Sequence, residues 1–185
     1  MNRIRCSWVG SDPLYRDYHD HEWGRPVHDN QRLFEMICLE GQQAGLSWIT
    51  ILKKREGYHD AFHHFDAEKI TRMTDDDIDR LLQNPDIIRS RSKIKAIIQN
   101  AHAYLSMRKS GEDFSAFIWS FAPKGPRARH LDCRHYPTQT EESFEMSKAL
   151  KKRGFKFVGP TICYAFMQAV GLVDDHVADC FCVTG

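Results

Sequence analysis

The sequence predicts an all-α fold. Apolar residues recur at helical spacing over most of the 185 residues, no stretch alternates apolar and polar residues as a half-buried strand does, and no hairpin dipeptide separates two apolar runs. Residues 30–44 set Leu33, Met36, Ile37, Glu40 and Ala44 on one stripe, with Asp29 or Asn30 as the cap. Residues 47–56 make a second helix that ends at Gly57. Thr74 followed by Asp77 is a variant of the capping box and opens a helix through Leu81 and Leu82, stopped by Asn84-Pro85. Ile94, Ile97, Ile98, Ala101 and Leu105 then form an apolar stripe whose opposite side is basic. Residues 114–121 read as a short aromatic-rich helix. The stretch 122–140 holds Pro123, Gly125, Pro126 and Pro137, which makes it the longest irregular connection. Helices resume over 141–153 and 159–170, where Pro160 suits the first turn and Gly171 the stop.

With 42% hydrophobic residues, 28% charged residues and 21 aromatics, the composition is that of a folded globular chain. The length fits one domain spanning residues 1–185, or two small intimate lobes, and excludes a large multidomain enzyme. No apolar run approaches the roughly 18 residues of a membrane span, and the first residues lead into no signal-peptide core. A cytoplasmic location without a membrane partner is therefore expected. In that reducing compartment Cys6, Cys38, Cys133, Cys163, Cys180 and Cys182 read as buried thiols or metal ligands before disulfides.

The net charge of +1 decides nothing about a polyanionic partner, but the charges are segregated. Residues 87–110 carry six bases and no acid, residues 146–164 five bases and no acid, whereas residues 66–86 sum to −4. On charge alone, the basic runs read as solvated helix exteriors.

Three constellations carry chemistry. Cys6 and His19 near one end, with His176 and Cys180 near the other, form a Cys2His2 set; the four-residue spacing of His176 and Cys180 suits two ligands on one helix face. Taken alone the pattern equally describes buried cysteines and surface histidines, and His21 and Cys182 lie close enough to compete for a place. The run from Lys151 to Thr161, with Lys152, Gly154, Lys156 and Gly159, joins two helices through a tight turn and leaves the N–H groups of the second helix unpaired. That is the physical content of a helix-hairpin-helix, which grips phosphate without reading sequence. Finally, Trp8, Tyr15, Tyr18, Trp23 and Trp48 accompany Glu40, which interrupts an apolar stripe and so points its carboxylate inward. Aromatic stripes are core more often than pockets. Yet aromatics around a carboxylate are also what a pocket for a flat, cationic base requires.

The stretches Asp12-Pro13-Leu14-Tyr15, Tyr18-His19-Asp20, Glu22-Trp23-Gly24, residues 34–48 and residues 151–161 closely resemble the bacterial 3-methyladenine DNA glycosylase I (Tag) family. The match runs from about Cys6 to Cys180, and only 122–140 looks unfamiliar. The resemblance implies a helix-hairpin-helix DNA glycosylase fold of two helical lobes, and hydrolysis of the N-glycosidic bond of 3-methyladenine in alkylated double-stranded DNA. Free 3-methyladenine is the product and lyase activity is absent. It further implies one structural Zn2+ per chain on Cys6, His19, His176 and Cys180, clipping the termini together. Glu40, Tyr18 and Trp48 match the catalytic base pocket, with Trp8, Tyr15 and Trp23 as its walls. Lys151, Lys152, Gly154, Lys156, Gly159 and Thr161 would bind DNA, and no obligate protein partner is expected. Gly45-Leu46 is the expected plug for the gap left in the duplex. Many helix-hairpin-helix relatives carry a catalytic aspartate in Val-Asp-x-His, and Val173-Asp174-Asp175-His176 restores it where the Tag family commonly has Asn. A helix-capping role for Asp174 is expected instead.

Overall fold

The structure, a computed structural model, describes residues 3–125 and 129–183. Among them there is no strand; the elements are α1 (Pro13–His21), α2 (Asn30–Gln42), α3 (Trp48–Lys53), α4 (Arg55–Ala61), α5 (Ala67–Ile70), α6 (Asp75–Leu81), α7 (Arg91–Lys109), α8 (Phe114–Trp119), α9 (Glu141–Lys152) and α10 (Pro160–Ala169), with 3-10 turns at Ser7–Val9, His63–Phe65 and Cys133–His135. Among the described residues no helix is long and apolar enough to cross a membrane. Local chemistry sets the helix starts. The Asp12 carboxylate accepts from the Leu14 and Tyr15 N–H groups with Pro13 in the first turn, Asp29 caps α2 at Arg32 N–H, and Thr74 and Asp77 form the expected capping box.

Helix α2 is the axle of the molecule. Every residue from Leu33 to Gln42 is buried, and α3, α7, α8 and α10 all pack on it. A helix covered all round can hold a carboxylate away from water, which matters for Glu40. The buried apolar side chains from Cys6 to Cys182 form one cluster, so the two lobes implied by the resemblance share a core.

Three sequence expectations fail for physical reasons. Gly57 does not stop the second helix. The chain kinks at Lys54 and continues as α4 to Ala61, and Gly57 is required because a Cβ there would meet the Asp86 carbonyl oxygen at 2.3 Å. Lys93 is not on a basic exterior but buried, its Nζ donating to the Gln42 and Ala44 carbonyls at 2.7 Å each. His176 and Cys180 lie on no helix; the chain is irregular beyond Gly171.

The segregated charges meet in space. Arg91 pairs with Asp79, Lys95 with Asp75 and Arg108 with Glu68, so the acidic 66–86 stretch neutralises much of α7. On the second basic run Arg153 pairs with Glu112. Among the described residues, no acid forms an ion pair with Lys148, Lys151, Lys152 or Lys156.

Candidate active site

Helix α1 presents Tyr15 and Tyr18, three residues apart on one face, and the Ser7–Val9 turn brings Trp8 against them at 4.9 Å from Tyr15. Trp23 follows the end of α1 and packs edge-on to Trp8 at 5.0 Å. Trp48, first residue of α3, lies 5.6 Å from Tyr18. Together they surround a cavity of about 280 Å³ that also touches Glu40, Gln43, Cys133, Tyr136, Ala165 and Gln168. All six aromatic and acidic residues expected from the sequence therefore converge.

Glu40 is 2% exposed. Its Oε2 has no hydrogen-bond partner, and neither has Trp48 Nε1. Burial without a compensating cation lifts the Glu40 carboxyl from 4.5 to about 8. An acceptor and a donor are thus held bare toward a cavity walled by rings. A buried polar group left unpaired costs about 1–3 kcal/mol, so the site stores a demand that a ligand can meet.

Behind the cavity, Glu22 ties α1 to the rest through Arg55, at 2.7 and 2.9 Å, and through Arg32 at 2.9 Å. Below it, Lys93 fastens the end of α2. Past this anchor the chain turns at Gly45, with φ +78° and open space around it, and leaves Leu46 40% exposed. Sequence reasoning missed Lys93, because a buried lysine held by carbonyls looks in sequence like one more surface base. Gln43, Ala165 and Gln168 were missed too, although each stands three residues from a pocket or core neighbour at helical spacing. Cys133 and Tyr136 left no signal in the 122–140 stretch.

Between α9 and α10 the chain makes a tight turn. Phe155 N–H donates to the Leu150 carbonyl and Gly154 N–H to Lys151, with Gly154 at φ +93°. Buried Asn100 brackets the turn, accepting from Lys156 N–H at 2.7 Å and donating to the Lys156 carbonyl at 3.2 Å. Gly159 starts α10 with no side-chain cap, and Lys151, Lys152, Lys156 and Thr161 are exposed around it. The Phe157 backbone lies where a Cβ on Gly41 would stand 3.1 Å from its carbonyl oxygen.

At the chain ends, ligand atoms of His19, His176, Cys180 and Cys182 lie within 4.8 Å of one another, all buried. Cys182 stands in this group where the sequence expectation has Cys6. Cys6 Sγ is buried beside it, facing Val177 N–H and the Tyr136 hydroxyl at 3.7 Å. His21, the other competitor, is exposed and faces Asp17. Each histidine is oriented by a carboxylate at Nδ1: His19 by Asp20 at 2.8 Å, His176 by Asp174 at 2.7 Å. His19 Nε2 then lies 3.5 Å from Cys180 Sγ, and His176 Nε2 is buried with no partner. Asp174 caps no helix, because none is there. It accepts from His176 N–H as well as from the ring, pairs with Arg129 at 2.9 Å and does not line the cavity. Gly24 must be glycine here, as its φ is +74° and a Cβ would stand 2.9 Å from the His176 ring. Trp23 packs on that ring at 4.7 Å, so the pocket wall leans on the cluster.

Fold and cavity together define an all-helical protein with an aromatic-walled site suited to a flat, electron-poor heterocycle. The chain belongs to the methyladenine glycosylase family, whose model matches residues 8–183. It is 61% identical to the DNA-3-methyladenine glycosylase of Haemophilus influenzae, over 97% of this chain and 98% of that protein. To DNA-3-methyladenine glycosylase 1 of Escherichia coli it is 59% identical, over 98% and 97%. Among solved structures, a crystal structure of 3-methyladenine DNA glycosylase I (TAG) superimposes with TM-score 0.95 at 58% identity, covering 98% of this chain and 100% of the other. The Staphylococcus aureus enzyme, solved to explain its recognition of 3-methyladenine, gives 0.92 at 41% identity, covering 98% and 97%.

Proposed function

We propose that the protein is a base-excision repair glycosylase that hydrolyses the N-glycosidic bond of 3-methyladenine in alkylated DNA. The observation that carries this is the bare, buried Glu40 carboxyl facing a cavity of aromatic rings. Methylation at N3 makes the adenine cationic, so the glycosidic bond is weakened before the protein acts and the base leaves neutral. Little general-acid help is needed. The remaining task is to extrude the nucleotide, at a cost of about a few kcal/mol of unstacking, and to hold a cation that ordinary adenine is not. Glu40 supplies charge and an acceptor, Trp48 and Tyr18 supply ring faces, and Trp8, Tyr15 and Trp23 exclude water.

The hairpin turn and the α10 N-terminus, with Lys151, Lys152 and Lys156, supply the phosphate grip, and Gly45-Leu46 is the segment presented to the duplex gap. The terminal cluster suits a structural zinc ion. Two imidazole nitrogens are aimed by carboxylates, one of them otherwise orphaned, and two thiols stand with them in a buried tetrad. Zinc there would join the chain ends and brace Trp23 through His176. The decisive experiment is release of free 3-methyladenine from methylated DNA, followed by chromatography of the base and a gel for strand breaks. Base release with intact strands is expected; no release, or cleavage without alkali, refutes the proposal.

A further inference from the structure

One wall of the base cavity comes from no helix. Cys133 and Tyr136 reach it from the irregular connection before α9, and that connection is fastened to the body at several points. Arg129 pairs with Asp174 at 2.9 Å, and the His130 carbonyl accepts from Ala178 N–H at 3.0 Å. The Tyr136 ring sits 6.4 Å from Trp23 and 5.2 Å from His130. Its hydroxyl accepts from the Cys133 thiol at 3.4 Å and donates to Cys6 Sγ at 3.7 Å. Cys133 Sγ also faces the N–H groups of Ser7 and Trp8, on the turn that carries another wall. Of the six cysteines, five are buried and Cys133 alone is half-buried. The unpartnered Glu40 Oε2 and Trp48 Nε1 belong to the same cavity.

We propose that this connection is a working wall of the base site, in which Cys133 and Tyr136 contact the extruded alkylated purine and limit which bases enter. The proposal rests on the excision reading above and adds specificity residues to it. Glu40 and the rings of α1 and α3 select charge and flatness. Neither property distinguishes one flat cation from a bulkier one, and that discrimination needs a side chain close to the ring edge on the remaining side. A small, fixed thiol leaves room there. Tyr136, held by its hydroxyl and between two rings, cannot swing out to admit a larger base. Because the wall is pinned to Asp174 and Ala178, its position also depends on the terminal cluster.

The test uses the wild-type protein. Iodoacetamide modification of Cys133 is followed by peptide mass spectrometry with and without saturating free 3-methyladenine, while tryptophan fluorescence independently reports binding of the base. The base should slow modification of Cys133 at least tenfold. In parallel, Cys133→Trp should weaken binding of the free base at least tenfold. Fluorescence-detected binding with unchanged Cys133 modification overturns this proposal alone. A Cys133 that the reagent cannot reach in the free protein does the same, because a thiol on the cavity surface must be accessible. Absence of any binding by the base removes the excision reading along with it. Should Cys133→Trp fail to fold, the wild-type protection experiment still decides.

Discussion

Glu40 should behave as an acid that is protonated in the empty pocket at neutral pH and ionised only when a cationic base is bound. Its carboxyl lies at about 8 in the folded protein against 4.5 ordinarily. Two consequences of opposite kind follow. For stability, a carboxyl whose pKa is raised by folding favours the native state below the unfolded value and loses that contribution as pH rises to the folded one. Between pH 4.5 and about 8 the native state therefore gives up to about 5 kcal/mol, at 1.36 kcal/mol per pH unit. Glu40→Gln removes the titration, so between pH 5 and pH 8.5, where about 4 kcal/mol of that loss falls, its melting temperature should gain on the wild type by roughly 8–15 °C, at about 2–4 °C per kcal/mol for a chain of this size. For catalysis, recognition of the cation by the carboxylate makes kcat/KM rise about tenfold per pH unit up to pH 8, so that pH 6 stands roughly 100-fold below the plateau. In Glu40→Gln the slope should vanish and the plateau fall by about 10²–10³, as for loss of a preorganised charge contact. Differential scanning fluorimetry and single-turnover base release across pH 5.5–9 measure both. Parallel melting curves for the two proteins, together with a flat wild-type rate profile, would show that Glu40 is ionised throughout and refute the reasoning.

Three further outcomes are expected. Replacing Lys151, Lys152 and Lys156 with Ala should weaken binding to all duplexes alike and lower the slope of log affinity against log salt by up to about 3, with free-base affinity unchanged; an unaltered slope by fluorescence anisotropy would place the DNA face elsewhere. The purified protein should carry one zinc per chain by mass spectrometry of the metal, lost in Cys180→Ser, and comparison of Cys182→Ser with Cys6→Ser decides which sulfur holds the fourth position. Lys93→Met should lower stability by about 2–5 kcal/mol in urea denaturation, because two buried carbonyls lose a shared cationic donor, whereas Asp174→Asn should leave base release nearly unchanged.

The sequence carried most of the helices, because capping residues such as Thr74 and the apolar stripes of α2 and α7 are local signals that packing then uses. Gly57 misled because a glycine needed for a close approach to Asp86 is indistinguishable, in one dimension, from a helix stop. The pocket was legible through Glu40, a charge on an apolar stripe, and through the aromatics that accompany it, although such residues are core more often than pocket. The part supplied by Cys133 and Tyr136 was not, since nothing periodic ties an irregular stretch to Glu40 and Trp48, more than 80 residues away in sequence. The terminal cluster was half legible. Residue types gave the chemistry, but the choice between Cys6 and Cys182 depends on how the last irregular segment folds back.

The contact between Gly41 and the Phe157 backbone makes the spacing between grip and probe a fixed length. The residue next to Glu40 is the bearing surface for the hairpin turn, where the Phe157 Cβ and carbonyl oxygen would each stand 3.1 Å from a Cβ on Gly41. On the phosphate-grip reading, a docked duplex is therefore inspected at a single register, a constant number of nucleotides from the held phosphates.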